Sequence, residues 1–313
     1  MKNAEQYMSN KWYQEATIGG VEMPRRRNDD TSEKRWRVLL EPLIPKPKSG
    51  DAFIELGSNA GFYLRKAVDL GYKAIGVEIS DEFVAQAKYW EDNEPKGTKT
   101  IQEDLNKYDI PAANVVLLAN IIYWLTPEEV LALVERLKNR ALNVVVIGRY
   151  KRLKPHKSPC TIDRIKKSFG EFETVDMRND EKHFSILFKN PLLCEKKTDE
   201  LSLTSHDFKH KLLIPAINEL LDMIEQGENT NPANTLYYKY LITRDCNPRI
   251  RGYKTKQTIR LIKDIKNNGI RKPICIGRIN DGKYNENCIY DGDHRFLIAK
   301  RLGINNIICQ KRG

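Results

Sequence analysis

The chain has 313 residues, 40% hydrophobic and 30% charged, with a net charge of +11. That length allows two domains with cores of their own, and no apolar run approaches the roughly 20 residues of a membrane-spanning helix. The first residues, MKNAEQYMSNKW, hold no apolar signal region, so a cytoplasmic location and no membrane partner are expected. The six cysteines, at 160, 194, 246, 275, 288 and 309, form no C-x-x-C pair and no cysteine-histidine grouping at zinc-like spacing. Reduced structural cysteines and no metal follow from that. The surplus positive charge favours an anionic partner, nucleic acid above all.

Residues 1–50 are polar, with Trp12-Tyr13, Arg25-Arg26-Arg27 and Arg35-Trp36-Arg37 as aromatic and basic clusters. Such an arm can cap a ligand site, its arginines and aromatics stacking bases or holding phosphates, or it can anchor its tryptophans in the core. Pro42, Pro45 and Pro47 close it.

The apolar run Ala52 to Leu56 lies between Gly50 and Gly57 and is too short for a helix, so it reads as a buried parallel strand. Gly57 and Gly61 flank a turn of small residues, Ser58, Asn59 and Ala60. There the backbone can approach a ligand, and unpaired N–H groups at the helix start are expected to face it. The helix runs from Phe62 to Leu70 and stops at Gly71. A second strand, Lys73 to Val77, ends at Glu78, where an acid can accept from both ribose hydroxyls of an adenosine-containing cofactor.

A dinucleotide site wants G-x-G-x-x-G, its middle glycine admitting the pyrophosphate. Here the pattern is E-x-G-x-x-x-G, with Asn59 in that place and Glu55 before the turn. A carboxylate there repels a pyrophosphate and suits the ammonium of a methionine moiety. The stretch resembles motif I and its following acid in class I S-adenosylmethionine-dependent methyltransferases. The resemblance implies a seven-stranded Rossmann-like α/β sheet, S-adenosyl-L-methionine as cofactor, and a cofactor set of Glu55, Gly57, Asn59, Gly61, Glu78, Ile79, Asp104 and Leu105.

The alternation continues with a helix from Asp81 to about Trp90 capped by Ser80, and strands at Thr98 to Gln102 and Val115 to Ala119. A helix follows from Pro127 to Lys138 with Thr126 as cap, then a strand from Asn143 to Ile147. The basic loop KRLKPHKSP comes next, then a helix from Thr161 to about Phe169 and strands at Glu173 to Met177 and His183 to Phe188. That makes seven strands, the last two a hairpin. By the same resemblance Asp104 contacts the adenine amino group, and Asn120 sits where acceptor and methyl group meet. Tyr123 and Trp124 line the acceptor pocket, with Asn120 and Tyr123 as the catalytic candidates. The stretch Asn120-Ile121-Ile122-Tyr123 lacks both prolines of the DNA amino-methylating enzymes. Pro159-Cys160 lies after the fifth strand and is followed by Thr161, unlike the cytosine C5 enzymes. The arm's Trp12-Tyr13-Gln14 leading into ELGSNAGFY is similar to tRNA wobble-uridine modifying methyltransferases and some sugar O-methyltransferases.

Residues 191–240 read as a helical connector, with apolar Leu213, Ile217, Leu220, Leu221 and Ile224 at helical spacing. His206 and His210 are four apart, without a third metal ligand. In residues 241–313 a helix from Thr255 to Asn267 ends at Gly269. Strands follow at Ile274 to Arg278 and Cys288 to Tyr290, and Asp291-Gly292-Asp293-His294-Arg295 opens a helix to Leu302. The Gly-x-His-Arg turn and the helix after it resemble the ParB/sulfiredoxin-like fold. That implies a small α/β domain binding nucleotide phosphates through Gly292, His294 and Arg295, with Arg249 and Arg251 upstream. Three functions remain open: methylation of a nucleic acid or nucleotide-containing acceptor; methylation of a sugar or metabolite beside an independent nucleotide-binding or phosphotransferase domain; and non-catalytic nucleotide sensing.

Overall fold

The computed structural model describes residues 12, 14, 16–23, 31–150, 161–203, 208–227, 232–244, 246–280 and 283–311. It forms two compact units, Met1–Pro191 and Leu192–Gly313.

The first unit opens with a hairpin, β1 (Thr17–Ile18) and β2 (Val21–Glu22), and a short helix, α1 (Ser32–Arg35), that runs on into the π-helical turn Trp36–Leu40. Thr31 caps α1 by accepting the Lys34 N–H. The sheet region follows as β3 (Ala52–Leu56), α2 (Phe62–Leu70), β4 (Lys73–Glu78), α3 (Asp81–Asn93), β5 (Lys99–Gln102) and β6 (Ala113–Ala119). Then come α4 (Pro127–Lys138), β7 (Ala141–Arg149), α5 (Ile162–Ser168), β8 (Glu173–Asn179) and β9 (His183–Lys189). The strand order is β5-β4-β3-β6-β7-β9-β8, with β9 antiparallel to both neighbours and the other pairs parallel. Strand order reverses between β3 and β6, and in such sheets ligands sit outside the carboxyl ends at that switch point.

Strand alternation sends Ile54 and Leu56 to one face, packed with α4 and α5, and Phe53 and Glu55 to the other. That second face is covered by α2, α3 and the arm, whose Trp12, Trp36, Leu39 and Leu40 are core residues. The arm's described tryptophans are therefore anchors. The ring of Trp12 meets Trp90 edge-on at 5.9 Å, and Trp36 stacks on Tyr63 at 6.1 Å. Arg25 to Arg27 and the loop at 151–160 lie outside the described residues.

Several boundaries differ from expectation for identifiable reasons. Strand β7 is nine residues long because β9 pairs with it from Asn143 to Arg149. Helix α3 runs on to Asn93, and Ser80 makes no side-chain cap; its N–H goes to Glu78 Oε1 at 2.9 Å instead. Thr126 and Glu129 form the reciprocal capping box that starts α4.

Gly76 in β4 lets the turn after β3 lie close. A Cβ there would sit 2.4 Å from Ser58 Oγ and 2.6 Å from Leu64 Cδ1, and both side chains are fully buried. Gly76→Ala is expected to cost about 1–3 kcal/mol by overpacking, read as a lowered denaturant midpoint with an unchanged m-value.

The second unit contains β10 (Leu193–Lys197), α6 (Phe208–Glu225), α7 (Leu236–Thr243), α8 (Pro248–Asn268), β11 (Ile274–Asn280), β12 (Lys283–Asp291), α9 (Asp293–Arg301) and β13 (Asn306–Lys311). Its sheet runs β10-β13-β11-β12. Residues 191–240, expected as a connector, supply the edge strand β10 and helices α6 and α7. Leu213, Ile217, Leu220 and Leu221 of α6 and Tyr237 of α7 pack with Ile262, Ile274 and Ile307 in one core. The apolar stripe thus belongs to this unit. Strand β13, absent from the sequence reading, joins β10 to β11.

Candidate functional site

The turn between β3 and α2 is built on left-handed backbone at alternate positions: Gly57 at φ 78°, Asn59 at 53° and Gly61 at 85°. Asparagine is among the few side chains that tolerate this region, so Asn59 serves where a middle glycine would stand. Strand β4 holds the turn in place. Val77 O accepts the N–H groups of Gly57 (2.8 Å) and Ser58 (3.1 Å). Glu78 Oε2 accepts the Asn59 N–H, and its Oε1 accepts those of Ile79 and Ser80, each at 2.9 Å.

The remaining turn N–H groups are also occupied. Ala60 donates to Asn59 Oδ1 (2.9 Å), Gly61 to Ser58 O (3.0 Å), and Phe62 to Oε1 of Gln14 from the arm (3.0 Å). The expectation of unpaired N–H groups facing a ligand is therefore corrected for residues 57–62. A phosphate has no donor left in this turn, which argues against a dinucleotide on grounds separate from the glycine pattern.

Glu55, two residues before Gly57, is fully buried, and neither carboxylate oxygen has a hydrogen-bond partner. Burial, with the nearby Glu78 adding to it, holds its carboxyl well above the usual carboxylate range. A buried carboxylate without a partner is costly, and a cation arriving there removes the cost.

Beyond Glu78, Ile79 is 65% exposed, an apolar side chain at a strand tip with room for a flat ring to cover it. After β5, Asp104 folds its own loop: its Oδ1 accepts the Asn106 N–H at 2.9 Å, and Arg136 of α4 donates to Leu105 O at 2.9 Å. At the end of β6, Asn120 is left-handed (φ 57°), its N–H bonds Ile147 O at 3.1 Å, and its Oδ1 is buried without a partner. The switch point is tight. A Cβ at Gly57 would come within 2.9 Å of Ile121 Cδ1, so the β3 turn and the β6 exit need glycine there.

The structure thus brings Glu55, Gly57, Asn59, Gly61, Glu78, Ile79, Asp104, Leu105 and Asn120 to the carboxyl ends of β3, β4, β5 and β6. It does not leave Tyr123 available as a catalytic group. Tyr123 is 4% exposed and packed in the core with Leu125 and Val130, because the 3-10 turn Ile122–Trp124 directs it inward, while Trp124 is 41% exposed. Residues that the sequence reading missed include Gln14, whose amide starts α2, and Tyr63, inconspicuous among the apolar residues of that helix. A third is Gln86, fully buried with both amide atoms unpartnered.

In the second unit, Gly292 is left-handed (φ 106°) at the N-cap of α9, as a turn into a helix requires. The cations beside it are committed elsewhere, which corrects their expected phosphate role. Arg295 donates to Lys272 O (2.8 Å) and Pro273 O (2.6 Å) and pairs with Asp291 Oδ2 (3.2 Å). Arg251 lies within α8, where its Nε donates to Cys246 O at 2.8 Å. His294 Nε2 bonds the Tyr237 hydroxyl at 2.8 Å. The side chains of Arg249 and His210 and all of His206 lie outside the described residues. Among the described residues no group of three or more His, Cys, Asp or Glu could hold a metal ion.

The family model of the methyltransferase domain matches residues 54–140. No curated protein matches the chain. Solved structures with a similar fold include a protein of Pyrococcus horikoshii OT3 (13% identity, TM-score 0.45, 52% of this chain and 92% of that one). Another is a SAM-dependent methyltransferase of Aquifex aeolicus (17%, 0.42, 52% and 94%). A third is the magnesium protoporphyrin IX methyltransferase of Synechocystis PCC 6803 with bound SAH (16%, 0.39, 45% and 75%). No helix among the described residues is long and apolar enough to cross a membrane.

Proposed function

We propose that this chain, whose first unit carries a class I S-adenosylmethionine-dependent methyltransferase domain, methylates a nucleic acid or another nucleotide-containing acceptor. The observation that carries the cofactor side is Glu55, a buried carboxylate with no partner, set near a second carboxylate, Glu78. Such a pair calls for a ligand with positive charge at one end and hydroxyls at the other. S-adenosyl-L-methionine has both, and when bound it supplies an electrophilic methyl group on a sulfonium. Glu55 takes the ammonium. Glu78 keeps its backbone bonds and offers its remaining lone pairs to the ribose, since an ionised carboxylate has about four acceptor sites. Ile79 packs on the adenine and Asp104 accepts from its amino group.

On the acceptor side, Asn120 Oδ1 orients an acceptor N–H or O–H, so the domain aligns the acceptor and excludes water. The net charge of +11 supports a polyanionic acceptor. A small-molecule acceptor is the second reading. It is favoured by the arm, whose Gln14 accepts the Phe62 N–H at the start of α2 and whose Trp36 stacks on Tyr63.

The test is incubation of the full chain with methyl-labelled cofactor and separate RNA, DNA and metabolite fractions. Label in a nucleic-acid fraction, with transfer falling steeply as salt rises, is the expected result. Label in the metabolite fraction alone, insensitive to salt, replaces it with the second reading.

A further inference from the structure

Helix α8 holds seven Lys or Arg residues and one acid, Asp264, so these 21 residues carry more than half of the chain's net charge of +11. Two of the cations are used internally: Arg251 Nε donates to Cys246 O, and Lys254 Nζ donates to Cys246 Sγ at 3.5 Å. Thr255, Thr258, Ile262 and Ile265 form the buried side of the helix. On the other side Lys256, Arg260 and Lys263 recur at the i, i+4, i+7 spacing of one helical face, and Lys266 follows a turn later. All four are exposed, and none makes a hydrogen bond or ion pair with a described residue. Asp264 does not offset them, for its Oδ1 accepts the Asn268 amide at 2.8 Å. Other helices place acids beside such cations: Lys88 pairs with Asp92 at 2.7 Å and Arg301 with Asp222 at 2.9 Å.

Like charges one helical turn apart repel, and no described residue relieves them, so this face costs the free protein stability. A polyanion lying along the helix removes that cost. From Lys256 to Lys263 the axis advances about 10 Å, enough to meet several successive phosphates of one strand. Tyr253, one turn before Lys256, is 59% exposed, and its hydroxyl accepts the Gln257 amide at 2.9 Å. An exposed aromatic ring beside a row of cations is a platform for an unpaired base. A duplex hides its base faces and would use the cations alone; a single strand uses both. Resting on the nucleic-acid reading above, we propose that the outer face of α8 binds single-stranded nucleic acid, with Lys256, Arg260 and Lys263 on its phosphates and Tyr253 under a base. The second unit then holds the strand through this face, apart from the turn at Gly292, where Arg295 is engaged with carbonyls and Asp291.

The probe is a fluorescein-labelled single-stranded oligonucleotide of about 20 nucleotides, more than one such surface usually covers, compared with the same sequence as a duplex. Anisotropy titrations use the full chain over a range of salt concentrations. The wild type is expected to bind the single strand more tightly than the duplex, with affinity falling as salt rises. The triple variant Lys256→Gln, Arg260→Gln, Lys263→Gln is expected to bind at least about tenfold more weakly at low salt. Its log–log salt slope becomes shallower by about two, at about 0.7 per phosphate contact. Its denaturant midpoint stays at or above that of the wild type, because the repulsion has gone. Tyr253→Ala is expected to weaken binding about fivefold to hundredfold with the slope unchanged, since stacking releases no counterions. An unchanged slope in the triple variant would overturn the proposal and leave the nucleic-acid acceptor standing. So would an equal loss in Lys73→Gln, Lys166→Gln, Lys167→Gln, which removes three exposed lysines from the first unit. Tighter binding of the duplex, untouched by Tyr253→Ala, would also overturn it. A wild type that binds no nucleic acid would overturn the acceptor reading itself.

Discussion

Glu55→Gln is expected to weaken binding of S-adenosyl-L-methionine by about tenfold to hundredfold, the worth of one buried charge-assisted hydrogen bond, while making the ligand-free protein more stable. The two effects have one cause. In the ligand-free chain the Glu55 carboxylate is fully buried with both oxygens unpartnered, so it destabilises the fold whenever it is ionised. Its folded-state pKa is raised, by burial first and by Glu78 second. The folded state therefore holds a proton that the unfolded state has released. The resulting stability is fully present below the unfolded carboxylate pKa and is lost as pH rises through the higher folded value. Glu55→Gln removes this slope, and thermal melts of both proteins across that window measure it. Binding has the opposite sign. The ammonium needs the ionised form, so wild-type affinity rises with pH over the same range, with proton release detectable by calorimetry in buffers of different ionisation enthalpy. A variant that lost stability and kept full affinity would remove Glu55 from the cofactor site.

The backbone of this site was legible because its constraints are local. Gly57, Gly61 and Gly71 fall where a strand, a turn and a helix end need left-handed backbone, and Thr126 with Glu129 marks a helix start. What escaped were pairings between distant segments. Gln14 caps a helix 48 residues later, and Arg35 meets Tyr63 only after the arm folds back. Nothing within ten residues of either announces the contact. The second unit misled for a related reason. The periodicity of residues 212–224 gives a helix, but its partners are Ile262, Ile274 and Ile307, so the stretch belongs to the second unit's core and not to the connector that its polar surroundings suggest. The Asp291-to-Arg295 stretch delivered its turn as expected. Yet Arg295 is spent on the carbonyls of Lys272 and Pro273, contacts that depend on where a loop 22 residues upstream comes to rest. A motif gives the type of a side chain and seldom its competing partners.

Glu78→Ala is expected to abolish measurable cofactor binding and to cost about 2–4 kcal/mol of stability, more than an ordinary surface change. The carboxylate links three backbone donors from two segments: Asn59 in the turn, and Ile79 and Ser80 ahead of α3. With the carboxylate removed, these N–H groups lose a charged acceptor in a place where Glu78 itself is only 8% exposed. Asn59 also loses what holds it at φ 53°, a conformation that a non-glycine residue adopts at some cost. Glu78→Gln keeps one acceptor oxygen and turns an NH2 towards the other donors, so an intermediate stability loss is expected. The structural and ligand roles of Glu78 separate in an Asn59→Gly background, where the turn adopts positive φ without strain. There, Glu78→Ala should cost less stability than in the wild type, because less backbone strain depends on the carboxylate. Cofactor binding should stay absent, because the acceptor for the ribose hydroxyls is still gone. Denaturant unfolding of the four proteins gives the coupling energy between the two positions, and titration of the same four gives the binding. Recovery of affinity along with stability would mean that Glu78 acts on the cofactor only through the shape of the turn.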